Sequence, residues 1–305
     1  MDGFRLDVPD LLADAQAFWA DFRQYVRKNH SEEIYITGEI WTGEGLGATY
    51  LCPDREAKPM RFDSIMNYPI RECVLNFLSG EILNKASDSV MCQGDISVSE
   101  LDKNIHNNIS YLSWGVTQVQ YGVFSSHDTR RLRSVFNDDR KMKAAVIMQF
   151  TLPGTPAIYY GEEIGMTGCK DPQNRSTMSW DKADNLAYYP EEASIYEFYQ
   201  KLISLRENMP CLINAPVLTL TVYNERKVYA YARYSSSDDC IIVIVAKDGI
   251  THDINIDLSG LPFEDIPNWR EFMSEKYFAC YAKNIVIKPS DFDNSHGLVL
   301  TAVCE

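Results

Sequence analysis

The sequence lacks the features that mark membrane, secreted and nucleic-acid-binding proteins. No apolar run approaches the roughly 18 residues of a membrane span. The opening segment, MDGFRLDVPD, has no basic region followed by an apolar one, so no signal peptide is expected. Basic residues are scarce: 29 Lys and Arg stand against 43 Asp and Glu, for a net charge of −14. Charge of this sign repels phosphate backbones and anionic lipid, which argues against nucleic acid and membrane surfaces as partners.

Cysteine and histidine are also sparse. The 8 cysteines of the 305 residues form no CxxC pair, which excludes a disulfide scaffold and a zinc framework. Scattered free thiols are usually buried, and they suit a reducing compartment, so we expect a cytoplasmic protein. The 5 histidines show no metal-ligand spacing. We therefore expect no cofactor and no metal, although a calcium site on a loop is an alternative that the sequence does not locate.

The chain changes texture near residue 210, which predicts two domains, 1–210 and 211–305. In the first, short and nearly continuous apolar runs alternate with helical patterns, as expected for βα units and a parallel sheet. The clearest strands are 34–41, 119–126 and 155–161, and the helices cover about 12–29, 139–151, 192–208 and a segment from Asp95 to Trp114 capped near Ser97 or Ser99.

Two finer expectations concern the first helix and the second domain. Residues recur at spacings of three and four in the first helix and predict its buried face: Leu11, Ala15, Phe18, Phe22 and Val26. After Pro210 the segments VLTLTVY, KVYAYARY, CIIVIVA, HDINIDL and GLVLTAV are short, β-branched and separated by turn residues. They predict an antiparallel β domain, a small sandwich.

Three acidic residues lie at or just past the carboxyl ends of predicted strands: Asp7, Glu39 and Asp128. In a parallel βα barrel, these ends form the catalytic face. Each acid alone is more readily explained as a cap or a loop residue. Together the three acids indicate a catalytic site, because each has a polar or aromatic neighbour that could assist catalysis or ligand binding.

These neighbours suggest a role for each acid. Arg5 precedes Asp7 by two residues, so both side chains share one face and the cation would keep Asp7 ionised. Trp41 follows Glu39 by two residues and offers a flat apolar surface that would favour a protonated carboxyl or stack against a sugar ring. His127 adjoins Asp128, and the two could hydrogen-bond ligand hydroxyls.

The segments DGFRLDVPD, GEIW, SSHDTRRL and LPGTPAIYYGEEIGM resemble, in order and spacing, motifs of the alpha-amylase family of glycoside hydrolases. The resemblance is to its neopullulanase and cyclomaltodextrinase-like members. It implies that residues 1 to about 210 form the C-terminal portion of a (β/α)8 barrel, strands four to eight, with the sixth at Phe62 to Met66. In this interpretation the chain is part of a longer protein, or a partner chain or oligomer completes the barrel.

The same resemblance implies the site. Asp7 would be the nucleophile, Glu39 the general acid/base and Asp128 a third carboxylate, with carboxyl groups of the first two about 5–5.5 Å apart, as in retaining glycosidases. Asp171 and Arg175, in GCKDPQNRSTMSWD, would bind sugar, as would Arg5, Trp41 and His127.

The substrate implied is an α-linked glucan such as a maltooligosaccharide, starch or pullulan. Two alternatives stay open: a transglycosylase of the same family, and a catalytically incomplete fragment that binds carbohydrate or a partner chain. After the nucleophile, Pro9-Asp10-Leu11 stands where many relatives carry an Asn-Glu pair, which leaves the bond specificity open. The glycines of 43–47 lack phosphate-loop spacing and suggest a substrate-side loop.

Overall fold

The computed structural model describes residues 2–41, 50–51, 60–80, 94–136, 138–263 and 266–303. The glycine-rich segment 43–47 lies outside these ranges, as do Cys52, Cys92 and Cys304. The other cysteines are free thiols, four of them buried and Cys169 exposed. None of the helices in the described ranges combines the length and the apolar character that a membrane-spanning helix requires.

Five short parallel strands lie in the described part of the first two hundred residues, in chain order. They are β1 (Gly3–Leu6), β2 (Tyr35–Gly38), β3 (Ser64–Ile65), β4 (Tyr121–Val123) and β5 (Thr155–Ala157). β1 pairs with β2, β2 with β3 and β4 with β5, all parallel, and a parallel bridge from Met66 to Tyr121 joins the two groups. The predicted parallel βα arrangement is therefore present, with strands shorter than expected because the chain turns into site loops after two to four residues.

Nine helices are described around these strands and after them. They are α1 (Ala15–Asn29), α2 (Tyr68–Ser79), α3 (Val98–Tyr111), α4 (Trp114–Gln118), α5 (Leu132–Val135), α6 (Asp139–Thr151), α7 (Trp180–Ala183), α8 (Pro190–Asn208) and α9 (Cys211–Asn214). α6 matches its predicted range, and α3 begins after Ser97, whose side chain forms a capping box with Glu100. The helix predicted over 192–208 starts two residues earlier, at a proline suited to the first turn.

The predicted face of the first helix is wrong at its start. A 3-10 turn over Pro9–Leu11 precedes α1, and Asp14 adopts a left-handed conformation, so the helical spacing begins only at Ala15. The buried face then runs through Ala15, Trp19 and Val26, while Leu11 and Phe18 are 79% and 49% exposed. The spacing of three or four residues thus led to the wrong prediction that Leu11, which precedes the helix, and Phe18, which flanks its buried face, are buried.

Helix α2 was not predicted from the sequence. Ten of its twelve residues are buried, including the charged Arg71 and Glu72. Because its polar residues are buried together with the apolar ones, the helix has no solvent-exposed polar face like that of a surface helix. Arg71 is fully buried and donates from Nε to the carbonyl of Phe124 (2.8 Å), which ties α2 to the loop that follows β4.

The described residues from Val217 onward form an antiparallel structure, as predicted, but it is one eight-stranded sheet and not a two-sheet sandwich. Its strands are β6 (Val217–Tyr223), β7 (Val228–Tyr234), β8 (Cys240–Ala246), β9 (Ile254–Asp257), β10 (Asn268–Glu271), β11 (Tyr277–Tyr281), β12 (Asn284–Ile287) and β13 (Gly297–Val303). Their order is β6-β7-β8-β13-β10-β11-β12-β9, and the Tyr223 hydroxyl reaches the carbonyl of Asn255 (3.4 Å), so the outermost strands approach each other. The curled sheet encloses its own apolar core.

The opposite face of this sheet shares a core with the helices. Side chains that alternate with the inner ones, such as Tyr231, Val243 and Val245, pack in one apolar cluster with α2, α3, α6 and α8. Arg233 is fully buried at this junction and donates to three backbone carbonyls, those of Ala215 (2.7 Å), Thr151 (2.6 Å) and Leu212 (3.0 Å). The sheet therefore packs against the helices that surround the parallel strands.

Candidate active site

The predicted acids meet at the carboxyl ends of the parallel strands. Asp7 directly follows β1, Glu39 directly follows β2, and Asp128 lies on the loop after β4. One ligand atom each of Glu39, His127 and Asp128 lies within 4.8 Å of the others. Because parallel strands end at the same edge of a sheet, positions separated by up to 121 residues form one site.

Arg5 joins the first two carboxylates. Its Nη1 lies 2.5 Å from Asp7 Oδ1 and its Nη2 lies 2.8 Å from Glu39 Oε1. The alternation of side chains along β1 brings Arg5 and Asp7 to one face, as expected from their spacing. The two carboxylates differ in exposure: the Asp7 side chain is 73% exposed and that of Glu39 only 4%.

The electrostatics keep Asp7 ionised. The hydrogen bond from Arg5 and the positive charge of that guanidinium hold the pKa of Asp7 below its usual range. A side-chain hydrogen bond with Glu39 acts in the same direction. Asp7 is therefore a charged, solvent-accessible carboxylate beside a second, buried carboxyl group.

Glu39 is held by three donors. Besides Arg5, the backbone N–H of Val8 donates to its Oε2 (3.2 Å) and the indole N–H of Trp41 donates to its Oε1 (3.1 Å). The Trp41 ring stacks on Tyr68, with centroids 3.8 Å apart and planes inclined by 18°. One face of the indole is thus covered by protein, and its polar edge orients Glu39.

His127 and Asp128 form the other side of the site together with Arg175. His127 Nε2 lies 2.9 Å from Asp128 Oδ2, and Arg175 Nη2 donates to Asp128 Oδ1 (2.8 Å). Arg175 Nε also donates to the carbonyl of His127 (3.0 Å) and lies 3.6 Å from Asp171 Oδ2. The structure thus brings together all eight residues selected from the sequence, with Asp171 at the periphery.

Sequence reasoning missed Asn174 and Tyr68. Asn174 is buried, and its side-chain amide donates to the carbonyls of His127 (2.7 Å) and Thr129 (3.0 Å). Its position next to Arg175 in the quoted segment is the only available sequence signal, because both carbonyl partners are more than forty residues away. The Tyr68 hydroxyl group hydrogen-bonds Ser126, on the loop that carries Asp128.

A cavity of about 350 Å³ opens beside these residues. Its walls come from the strand ends and the loops that follow them: Arg5, Met66, Tyr121, Val123, Ser125, Ser126, His127, Ala157, Ile158, Tyr159 and Tyr160. Arg5 and His127 are the predicted site residues in this lining, which also includes two serine hydroxyl groups and the rings of three tyrosines. This mixture of stacking surfaces and hydrogen-bonding groups suits a carbohydrate.

Glu39, His127 and Asp128 could in principle offer ligands to a cation. Two guanidinium groups already pair with these carboxylates, Arg5 with Glu39 and Arg175 with Asp128. Their positive charges oppose a metal ion at the same place. The arrangement is better suited to acid–base and nucleophilic chemistry than to metal binding.

The chain is similar to proteins of one family. Residues 1–215 match the model described as alpha amylase, catalytic domain. Two curated relatives are a cyclomaltodextrinase of Bacillus sp, 32% identical over 86% of this chain and 41% of its own length, and neopullulanase 2 of Thermoactinomyces vulgaris, 32% identical over 76% and 35%.

A crystal structure of a Thermus thermophilus protein superposes on 99% of this chain and 59% of its own, with a TM-score of 0.79 and 28% identity. The chain spans about two fifths of the length of the curated relatives it matches first. A family model that covers two thirds of the residues, together with these relatives, is decisive. The chain belongs to the alpha-amylase family of glycoside hydrolases.

Proposed function

We propose that the chain carries the catalytic face of a retaining hydrolase of α-linked glucans. The observation that carries this proposal is the Arg5 guanidinium, which contacts an exposed Asp7 and a buried Glu39 at adjacent strand ends. A retaining mechanism requires two neighbouring carboxyl groups in unlike environments, about 5–5.5 Å apart. The names of the relatives, cyclomaltodextrinase and neopullulanase, support α-glucans as the substrate class.

In the first step, an Asp7 carboxylate oxygen attacks the anomeric carbon as the glycosidic C–O bond breaks. Glu39 delivers its proton to the departing oxygen, so the leaving sugar departs as a neutral alcohol. Arg5 favours this step because its charge keeps Asp7 ionised and therefore nucleophilic. The product is a glycosyl ester on Asp7.

In the second step, water attacks the anomeric carbon and the ester bond to Asp7 breaks. Glu39, now a carboxylate, accepts the proton of that water, which restores both groups and retains the anomeric configuration. A sugar hydroxyl group in place of water would give transglycosylation. This chemistry uses two carboxyl groups and requires no cofactor.

Asp128 and its neighbours would bind the reacting ring. Asp128 would accept hydrogen bonds from sugar hydroxyls and stabilise a distorted ring, with His127 as a second hydrogen-bonding group. Arg175 pairs with Asp128 and would fix its orientation. In the same proposal β1–β5 correspond to strands four to eight of a (β/α)8 barrel, and a longer or associated chain completes the wall around the sugar.

The test compares Asp7→Asn and Glu39→Gln in the natural full-length protein, with hydrolysis of maltotriose, starch and pullulan as the readout. Asp7→Asn should reduce turnover by at least about 10⁴-fold on every substrate, because no nucleophile remains. Glu39→Gln should lose comparable activity on natural glucans but keep much of it on an aryl glycoside whose leaving group needs little protonation. Asp14→Asn is the control, because Asp14 is an exposed residue of the same segment whose left-handed conformation asparagine tolerates.

The anomer released first, followed by NMR, provides an independent check. Retention is expected. Inversion, or equal losses on aryl and natural substrates for Glu39→Gln, would refute the assigned roles.

A further inference from the structure

A buried ionic group lies beneath the loop that carries Asp128. Glu162, in the 3-10 turn Glu162–Ile164 after β5, is 3% exposed, and Arg131, which ends the Asp128 loop, is fully buried. Arg131 Nη1 lies 3.5 Å from Glu162 Oε1 and donates to the carbonyl of Tyr160 (2.6 Å). The guanidinium also lies over the rings of Tyr159 and Tyr160, 4.6 and 4.8 Å from their centroids.

Glu162 contacts both ends of that loop. At the far end, the backbone N–H of Leu132 donates to Glu162 Oε2 (3.1 Å). At the near end, the Ser125 side chain lies close enough to the same carboxyl group to lower its pKa. Asp128 lies between these two attachments, and none of these contacts of Glu162 reaches the reacting groups.

Contacts within the loop transmit this constraint. The backbone N–H of Ser126 donates to the Thr129 hydroxyl (2.8 Å), and the N–H of Asp128 donates to the Ser126 hydroxyl (3.2 Å). Ser125, Ser126 and Thr129 are all buried. A displacement at either end of so compact a loop must therefore move the Asp128 carboxylate.

Burying the Glu162 carboxyl group lowers the stability of the folded protein. Burying a charge with only partial pairing destabilises a protein. Glu162 Oε1 and two nitrogens of Arg131, Nε and Nη2, have no hydrogen-bond partner among the described residues. A glutamine would fill the same space at lower desolvation cost, so the presence of a carboxyl group indicates a role for its contacts with Leu132 and Arg131.

We infer that Glu162 is the positioning residue for Asp128: its carboxylate holds both ends of the loop 125–132 and so fixes where Asp128 meets the sugar. This inference rests on the proposed function for its kinetic consequence, but the loop contacts themselves do not depend on it. Glu162 acts through Asp128 and does not touch the reacting atoms.

The kinetic test is a double-mutant cycle in the natural full-length protein with maltotriose as the substrate. Glu162→Gln should lower kcat about 10- to 100-fold and change KM less than about threefold, because Asp128 acts mainly on the distorted ring of the transition state. In an Asp128→Asn background, the same substitution should cost less than about threefold. Multiplicative losses, or a change confined to KM, would overturn the inference.

Glu163→Gln is the matched control. It removes the neighbouring carboxylate without touching either loop attachment, and kcat should stay within about twofold of the parent. Ser125→Ala, which removes only the near attachment, serves as a second variant in case Glu162→Gln folds poorly. It should reproduce a smaller loss with the same dependence on Asp128.

Amide hydrogen exchange gives a readout that does not depend on activity. Glu162→Gln should raise exchange of backbone amides in 125–132 at least about tenfold while β7 and β8 stay unchanged. Unchanged loop exchange would overturn the inference even if the enzyme is active. Faster loop exchange in a protein that hydrolyses no glucan would instead uphold the loop contacts and refute the proposed function.

Discussion

Glu162 should make the stability of the protein depend on pH in an unusual direction. Burial is the largest influence on this carboxyl group and raises its pKa from 4.5 to about 7, against the opposing effects of Ser125 and Arg131. The charged groups around it are Arg131 at the start of α5, Arg71 on α2 and the adjacent Glu163, and Tyr199 of α8 also faces it. The folded state therefore holds the Glu162 proton more tightly than the unfolded chain does.

The sign and the size follow from linkage. Between pH 4.5 and 7 the folded protein binds the extra proton, so the free energy of unfolding falls as the pH rises through this window. Each pKa unit corresponds to about 1.4 kcal/mol. The raised pKa of Glu162 therefore corresponds to about 3 kcal/mol of stability that is present below pH 4.5 and lost above pH 7.

Glu162→Gln removes this titration and preserves the side-chain volume. Urea unfolding at pH 5, 6, 7 and 8, followed by tryptophan fluorescence, should show the variant gaining about 2–3 kcal/mol relative to the parent across the series. Glu197→Gln, at an exposed glutamate of α8, is the control and should track the parent. A difference between Glu162→Gln and the parent that is constant with pH, or that shrinks as pH rises, would refute the reasoning.

Two further substitutions test the supports of the site and of the fold. Trp41→Phe keeps a ring on Tyr68 but removes the indole donor to Glu39, so kcat on maltotriose should fall about 10-fold or more. The control, Trp114→Phe, removes an indole donor to a distant carbonyl and should not change kcat. Arg233→Met leaves three buried carbonyls without their donor and should lower the free energy of unfolding, measured by the same urea assay, by about 3–5 kcal/mol. The control, Arg226→Met, changes an exposed arginine and should lower the free energy of unfolding by under about 1 kcal/mol. Unchanged kcat in the first case, or equal stability losses in the second, would contradict the roles assigned here.

The placement of the acids at strand ends was predictable because it is local in sequence. Asp7 and Glu39 each follow a short apolar run, and Arg5 shares a face with Asp7 by simple alternation. Their convergence required only the rule that parallel strands end at one edge. The resemblance to the family then gave each residue a role.

What escaped prediction depends on contacts between distant segments. Asp128 meets Arg175 across 47 positions, and no spacing rule links them. The sequence analysis did not identify strands β10, β11 and β12, which are only four or five residues long. Without them the remaining segments were interpreted as a sandwich, whereas the structure has one curled sheet. Glu162 and Glu163 are identical neighbours in the sequence, and only the fold buries the first against Arg131.

The charges at the site match the reaction proposed for it. Arg5 pairs with both Asp7 and Glu39, and Arg175 pairs with Asp128. In the proposed mechanism Glu39 starts protonated, so the charges of the two arginines balance those of Asp7 and Asp128. Proton transfer from Glu39 to the leaving oxygen would leave one net negative charge at the moment when the sugar ring acquires positive, oxocarbenium-like character. The sugar is neutral in the resting complex, so this negative charge, like the fixed charge of Asp128, would interact more strongly with the transition state than with the ground state, which is the condition for a contact to accelerate the reaction and not merely to bind the substrate. Arg175 contributes in another way: its ion pair with Asp128 persists in both states and would hold that carboxylate in the orientation in which it meets the sugar ring.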